Sequence, residues 1–308
     1  MYDLIVIGGG PAGLTATVYA IRKRLNVLLV SKDLGGKTNY RLALPWIEDY
    51  KVIHGLEIVD KFRNELEYLD FARHMEPVER VSQVDGMFQV TTRDENEMLA
   101  KAVIIATGTR QAFLDVPGEK EFMMRGLCYS ALSYAPLFID RTVTIVGEGD
   151  LALRSAAELA TIAQKVNIVC ECQEPGCLDT ALGKKLLSLN NVQVLQGFQV
   201  VEVHGTENGN GKFARGLGLR SVNGQLLELE ADGIFIEKAL FANSKMVQGL
   251  VEMDEFGRIY VDCASRTNLP GVFAAGDVTR GYAEQVLIAV GEGAKAALSA
   301  YDYLLPML

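Results

Sequence analysis

The sequence predicts an α/β protein with two Rossmann-like domains. Three observations carry that expectation. A strand, a glycine-rich turn, a helix and a second strand open the chain; a unit of the same kind recurs 139 residues later, between Gly8 and Gly147; and two further apolar strands end in small-residue turns. The 308 residues suit two domains of roughly 150 each. With 49% apolar and 22% charged residues, the chain can bury a core in each. Thirty Lys and Arg against thirty-nine Asp and Glu leave a net charge of −9, which argues against nucleic acid or an anionic membrane surface as a partner. No stretch approaches the roughly 18 uninterrupted apolar residues of a membrane span, and no basic segment precedes residue 3, so a cytoplasmic protein is expected. Five cysteines, an odd number, do not suit an extracellular disulfide framework.

Residues 3–7 form a short apolar run without alternation, the pattern of a central parallel strand buried on both faces. Gly8-Gly9-Gly10-Pro11-Ala12-Gly13 follows at once, then a helical pattern over 14–24 and a second apolar strand over 26–30. Strand, G-x-G-x-x-G, helix, strand is the dinucleotide-binding unit. Gly8 makes the tight turn, Gly10 lets the backbone approach a pyrophosphate, and Gly13 lets helix and strand pack closely. The helix N-terminus offers its partial positive charge to the diphosphate. The acid expected at the end of the second strand is missing, because Val30 is followed by Ser31-Lys32-Asp33. Asp33, on the same strand face as Ser31, is the candidate substitute for holding an adenosine ribose.

The second unit begins with a strand over 142–146, continues through Gly147-Glu148-Gly149-Asp150-Leu151-Ala152, and enters a helix reaching residue 163. G-x-G-x-x-A is an accepted form of the same turn, so Gly147, Gly149 and Ala152 are candidates for a nicotinamide dinucleotide. A degenerate copy would keep the same glycines for packing alone. The next strand, 165–169, ends in Cys170-Glu171-Cys172. Glu171 lies 22 residues beyond Gly149, where an acid bonds a ribose 2′-hydroxyl. An acid there repels a 2′-phosphate, which favours NADH and disfavours NADPH.

The remaining strands are 102–106, ending in Thr107-Gly108, and 269–275, ending in Gly276-Asp277 and leading into a helix through Gln285. Asp277 at a strand end suits a hydrogen bond from a ribityl hydroxyl, and the helix after it can aim N–H groups at the negative pole of a reduced flavin. The acid-rich segment 93–97 and the run Asn208-Gly209-Asn210-Gly211 read as hairpin turns. His54, His74 and His204 carry no triad or metal spacing and read as surface or core residues. Cys128 reads as a small core filler, and Cys170, Cys172 and Cys177 as buried or half-exposed thiols at a strand end rather than a zinc site. Cys263 has no obvious partner, and no metal is expected. The apolar tail 301–308 is expected to dock, with a second subunit as the candidate surface.

Together these stretches resemble the low-molecular-weight thioredoxin reductases and their relatives, the thioredoxin-reductase-like ferredoxin–NADP reductases among them. The resemblance runs through 8–14, 34–38, 106–109, 116–119, 147–152 and 267–297, in order and at the family's spacing. It implies the three-layer ββα form of the fold, with FAD held by a discontinuous domain of residues 1–114 and 244–308. A smaller NAD(P)-binding-like domain, 115–243, would swivel on linkers near 115–119 and 237–244. Carried over residue by residue, Gly8, Gly10, Pro11, Ala12 and Gly13 would face the FAD pyrophosphate. Gly36, Lys37 and Asn39 would line the isoalloxazine side, Thr107 and Gly108 would flank the adenine end, and Gly276, Asp277, Gln285 and Val286 would hold the ribityl chain and ring. A homodimer is likewise implied.

The chain departs from that family where its chemistry resides. Counted back without gaps from Gly147, the family's redox pentapeptide C-A-T-C-D falls on Ser130-Ala131-Leu132-Ser133-Tyr134. A hydroxyl cannot cycle between thiolate and disulfide, so dithiol chemistry is not expected there. Ser130, Ser133 and Tyr134 thus mark a degenerate redox motif, with Tyr134 either stacking on the flavin or filling the vacated space. The family's His-Arg-Arg is Cys170-Glu171-Cys172, its Gly-x-x-Pro-Asn is Ala239-Leu-Phe-Ala242-Asn243, and its Arg before Gln285 is Glu284. The expected function is an FAD-dependent oxidoreductase without a redox-active disulfide, passing electrons through FAD to or from an external partner, with NADH as the candidate nicotinamide donor. Two alternatives stand beside it: a pyridine-nucleotide-independent flavoprotein coupled to an electron carrier such as ferredoxin or flavodoxin, and a non-catalytic flavin-binding redox sensor.

Overall fold

A computed structural model describes residues 1–47, 50, 54–174, 176–208 and 211–308. By internal contact the chain forms two units, one of Met1–Asn39, His54–Arg110 and Leu240–Leu308, the other of Tyr40–Ile53 and Gln111–Ala239.

In the first unit, parallel strands Tyr2–Ile7 and Val27–Val30 pair in register from Leu4 with Val27 to Ile7 with Val30. On the other side of Tyr2–Ile7 lies Glu97–Ile105, with Ile5 opposite Val103. Glu97–Ile105 then turns the sheet in two directions. Its first half pairs antiparallel with Met87–Thr92, and its last three residues pair parallel with Val272–Ala274. Because side chains alternate across a strand, Leu4 and Val6 enter one core, with the helix residues Leu14, Ala16, Ala296 and Leu304, while Ile5 and Ile7 enter another, with Val247, Ile259 and Val272. Both faces are covered, which is why 4–7 reads as a continuous apolar run rather than an alternating one. Two helices, Pro11–Arg22 and Val286–Leu304, pack on one face at backbone distance. A Cβ on Gly293 would fall 2.1 Å from the Ala12 carbonyl oxygen.

The second unit has its own parallel sheet, in the order Val192–Gln196, Lys165–Cys170, Thr142–Val146, Gly233–Ile236, Leu127–Cys128. The helices Asp150–Leu159 and Ala181–Leu187 bury Leu153, Ala156, Leu159 and Leu186 in a core with Val143, Ile145, Val166 and Ile168. A three-stranded antiparallel sheet, Phe198–Asn208, Gly211–Ser221 and Leu226–Glu230, supplies Val200, Val203, Leu217 and Leu219 to a separate core with Val146, Val169, Ile234 and Ile236.

The expected boundaries shift in three places. The crossing expected after 114 falls after Arg110, because Ala112 N–H donates to the Ala239 carbonyl inside the second unit. Residues 240–243 belong to the first unit, where Asn243 N–H donates to the Gly108 carbonyl. Tyr40–Ile53, expected in the first unit, joins the second, because Leu42 and Leu44 are buried in its core with Trp46 and Tyr50 packed against them. The helix expected to run through Gln285 instead begins at Val286, with Gln285 as its N-cap residue. Strands Phe198–Asn208 and Gly211–Ser221 pair antiparallel up to Asn208 and Gly211, and residues 209 and 210 of the expected turn lie outside the described residues. The C-terminal helix ends at Leu304 with Tyr303 edge-on to Phe273 at 6.1 Å, while Leu305, Met307 and Leu308 stay exposed. Among the described residues, no helix is long and apolar enough to cross a membrane.

Candidate functional site

The strand order of the first unit reverses at Tyr2–Ile7, whose neighbours are Val27–Val30 on one side and Glu97–Ile105 on the other. The crevice outside the carboxyl ends of such strands is where open α/β sheets take ligands. Gly8 turns the chain there with φ +109°, and a Cβ on it would meet the Ala106 carbonyl oxygen at 2.4 Å. A Cβ on Gly13 would lie 1.7 Å from the Gly8 carbonyl oxygen, so this turn and helix close only on glycine. Gly10 is the opposite case. It caps the helix without a side-chain hydrogen bond, no acid stands in the first turn, and nothing lies within 4 Å of where its Cβ would be. Pro11 follows as the first helical residue, where its missing N–H is no loss. An open helix N-terminus free of negative charge is the local geometry that accepts a phosphate.

The walls of this crevice come from distant segments. Gly36 passes over the turn, its would-be Cβ 3.2 Å from Gly10 Cα, and its N–H is held by Asp33 Oδ1 at 2.9 Å. Ser31, not Asp33, ties the second strand to the turn: its hydroxyl accepts Gly9 N–H at 2.8 Å and donates to the Asp33 carbonyl at 2.7 Å. Thr107 donates to the Asn243 carbonyl at 2.5 Å, and Asn243 Nδ2 returns a bond to the Thr107 carbonyl at 3.1 Å, which fixes the Thr107–Gly108 corner. Asn39 is held by Arg63 Nη1 at 2.9 Å and donates to the Leu34 carbonyl. Gly276 N–H donates to Glu292 Oε2 at 2.7 Å, and its would-be Cβ meets Ala12 Cβ at 3.0 Å.

Lys37 sits at the centre of a four-residue cluster. Its Nζ donates to Thr109 Oγ1 at 2.5 Å, to Glu284 Oε2 at 3.1 Å and to Asp277 Oδ2 at 3.3 Å, and Thr109 Oγ1 donates to Glu284 Oε2 at 3.2 Å. Glu284 and Asp277 line a small cleft with Gly276, Ile288, Glu292 and Arg258. Burial pushes the Glu284 carboxyl above the ordinary carboxylate range; Lys37 pulls it down and the Asp277 charge pushes it further up. Gln285 and Val286, at the start of the C-terminal helix, follow directly. Thus the structure gathers Gly8, Gly10, Pro11, Ala12, Gly13, Gly36, Lys37, Asn39, Thr107, Gly108, Gly276, Asp277, Gln285 and Val286 within one unit. The sequence singles out Glu284 and Asn243 only where the family pattern is compared, and places neither them nor Thr109 in the site. A lysine at 37 together with an acid at 284 was the available signal, since each alone would be an unpaired charge near a ligand.

The second glycine turn likewise has a glycine N-cap, Gly149 on the helix Asp150–Leu159, with nothing within 4 Å of its would-be Cβ, but at φ +95° where Gly10 has −74°. Its electrostatics differ. Asp150 stands in the first helical turn, and Glu148 Oε2 accepts Cys172 N–H at 3.2 Å, bridging the ends of two adjacent strands. Glu171 is paired with Lys238 at 2.9 Å. Gly147 is fitted against the Glu237 carbonyl, 2.2 Å from its would-be Cβ, and Ala152 is buried in the unit's core.

Ser130 and Ser133 lie at a short helix, Ala131–Tyr134, which Ser130 caps by accepting Ser133 N–H. Their hydroxyls are 3.0 Å apart. Tyr134 is only 5% exposed; its hydroxyl donates to the Tyr40 carbonyl at 3.1 Å and its ring stands edge-on to Tyr50 at 6.4 Å. Within its unit it has the surroundings of a core residue, and burial drives its phenol well above the ordinary tyrosine range. Cys128 and Cys170 are buried, Cys172 and Cys263 exposed, and all five thiols are free. Burial pushes the Cys170 thiol up to about 12, which makes it unreactive at neutral pH. His74 pairs with Glu76 at 3.1 Å and His204 with Glu228 at 3.3 Å, and His54 is exposed. Among the described residues no group of His, Cys, Asp and Glu is placed to hold a metal.

The family described as pyridine nucleotide-disulphide oxidoreductase matches residues 2–293. An alkyl hydroperoxide reductase component of Escherichia coli is 34% identical over 313 residues, covering 99% of this chain and 58% of that protein. An NADH dehydrogenase of Bacillus subtilis is 31% identical over 305 residues, covering 99% and 59%. The chain therefore spans less than two thirds of the length of these relatives. The crystal structure of thioredoxin reductase from Streptococcus pyogenes is 32% identical with a TM-score of 0.87 and covers 99% of each chain. Thioredoxin reductase from Giardia duodenalis is 27% identical with a TM-score of 0.86, also over 99% of each.

Proposed function

Because the chain belongs to the pyridine nucleotide-disulphide oxidoreductase family, we propose that it is an FAD-dependent oxidoreductase of thioredoxin-reductase-like fold that works without a redox-active disulfide. The observation that carries this reading is the first turn: an uncapped, acid-free helix N-terminus at Gly10, open where a side chain would be and walled by Gly36, Thr107 and Asp277. A dinucleotide diphosphate fits such a cradle, and the buried glycine contacts around Gly8 and Gly13 leave room for backbone alone.

Bound FAD supplies reversible two-electron chemistry. The chain's residues do the rest. Gly10 and the helix Pro11–Arg22 hold the diphosphate by N–H groups and dipole. The corner at Thr107 and Gly108, fixed by Asn243, bounds the adenine end. Asp277 would accept from a ribityl hydroxyl, and Lys37, bonded to both Asp277 and Glu284, would close the polar wall beside it. Electrons pass to or from an external partner, since no C-x-x-C occurs anywhere in the chain and the two serines hydrogen-bond to each other. NADH is the favoured nicotinamide donor on account of the negative charge of Glu171.

A second reading has a specific observation behind it. Glu148 and Asp150 place two carboxylates at the turn that would take the nicotinamide dinucleotide, and Glu171 is already paired with Lys238. Two acids at a helix N-terminus oppose a diphosphate, which favours a flavoprotein reduced by an electron-carrier protein instead. Anaerobic titration of the FAD-loaded protein with NADH and with NADPH separates the two. Bleaching of the flavin band by NADH alone is expected under the first reading. Bleaching by neither, with dithionite still reducing the flavin, would replace it by the second.

A further inference from the structure

We propose that Glu284 is a redox-linked proton site: the carboxylate takes up a proton from water when a flavin bound beside Lys37 is reduced, and releases it on reoxidation, with Lys37 setting the pH at which it does so. The inference rests on the FAD reading above and adds a role that the glycine cradle does not provide.

The observation is an imbalance of charge in one place. Among the described residues, Lys37 Nζ is the cation bonded to both carboxylates, Glu284 at 3.1 Å and Asp277 at 3.3 Å. Arg258 and Glu292 line the same cleft with opposite charges, Arg258 with its Nε on Asp254 at 2.7 Å and Glu292 accepting Gly276 N–H. The charges bonded directly to one another are Lys37, Asp277 and Glu284. Thr109 bonds the same Glu284 oxygen that Lys37 does, and its hydroxyl serves either protonation state. Two-electron reduction of a flavin with uptake of one proton adds one negative charge. Three charges that already sum to −1 then become −2 if none of them responds. Like charges within a few ångströms disfavour ionisation, and the group already nearest to neutralising yields first. That group is Glu284, whose side chain retains about one third of its exposure in the open cleft and loses more when any ligand covers it. Its burial raises it, and the Asp277 charge raises it further against the pull of Lys37. The balance is two electrons and one proton to the flavin from the donor and water, and one further proton from water to the Glu284 carboxylate.

The test is the pH dependence of the flavin midpoint potential, measured on the full chain with bound FAD against reference dyes, with xanthine and xanthine oxidase as reductant. The pH range is the one above the point at which reduced flavin itself gives up a proton. For a two-electron couple, each linked proton changes the equilibrium tenfold per pH unit, or about 30 mV. The wild-type protein should therefore move a hundredfold, about 60 mV, per pH unit where Glu284 takes up its proton. Glu284→Gln should move tenfold, about 30 mV. Lys37→Met, which removes the group that lowers the Glu284 carboxyl, should shift the steeper segment to higher pH. Reduced-minus-oxidised infrared spectra of the wild type should show a carboxylic-acid C=O band gained on reduction, a readout that needs no variant to fold. A single-proton slope throughout in wild type, or a two-proton slope surviving in Glu284→Gln, would overturn the inference and leave the FAD reading standing. Failure of the wild-type chain to bind FAD would overturn both.

Discussion

The turn around Gly10 and the turn around Gly149 share the order of strand, glycine N-cap and helix, and differ in the cap's backbone, φ −74° against +95°, and in the acids beside it. Each has a parallel strand, a glycine N-cap without a side-chain bond, and open space where the cap residue's Cβ would be. At the first, the neighbouring strand is tied in by a neutral group, the Ser31 hydroxyl on Gly9 N–H. At the second, the same structural task, joining two strand ends, is done by the carboxylate of Glu148 on Cys172 N–H, with Asp150 one step into the helix. The lesson is that a shared strand, glycine turn and helix do not fix what the turn presents to a ligand: the second keeps the glycines and adds two carboxylates at the helix N-terminus.

That comparison can be broken most directly by moving the charge. Gly10 has φ −74° and ψ −176°, a conformation open to any residue. Gly10→Asp should leave the unliganded fold intact or slightly stabilise it, since Asp is a good N-cap. FAD affinity should nonetheless fall at least a hundredfold, about 2.8 kcal/mol, read from the flavin-to-protein absorbance ratio and a reconstitution titration. If FAD binding survives, the first turn is not the diphosphate site. The reciprocal change is smaller. Glu148→Ala removes a charge at a helix N-terminus, worth about 1 kcal/mol, and NADH binding followed by fluorescence should tighten about fivefold. Unchanged binding would show that Glu148 is not what weakens the second turn. Smallest of all is Tyr134→Phe, which leaves the Tyr40 carbonyl without its donor at a cost of about 1 kcal/mol in urea unfolding. The flavin spectrum should stay as it was, and a shifted flavin band would instead put Tyr134 at the ring.

How far the sequence speaks follows from the same contrast. The glycine turns, the strands beside them and the Thr107–Gly108 and Gly276–Asp277 corners are local patterns: a run of 4–7 residues and a fixed glycine spacing, each legible because its physics is local. The Lys37–Glu284 contact closes over 247 residues and the Glu148–Cys172 contact over 24. Neither is encoded by periodicity, and both depend on which side chains the sheet order brings together. The adenosine-side assignment shows the limit most plainly. Asp33 is the candidate substitute for the missing acid, and its carboxylate is engaged with Gly36 N–H, while Ser31, which belongs to no motif, makes the bridge to the turn.

Tyr40–Ile53 has a consequence for how this chain can be taken apart. Leu42 and Leu44 plug the core of the second unit, and Trp46 lies edge-on to Phe138 at 5.8 Å with its indole N–H on the Leu137 carbonyl. The chain therefore crosses between units four times rather than twice. A graft or deletion cut only at 111 and 239 would strip the second unit of part of its own interior and leave an apolar tether dangling from the first. Modularity in this protein is a matter of two strands of chain, not one, and any chimaera that exchanges the second unit must carry residues 40–53 with it.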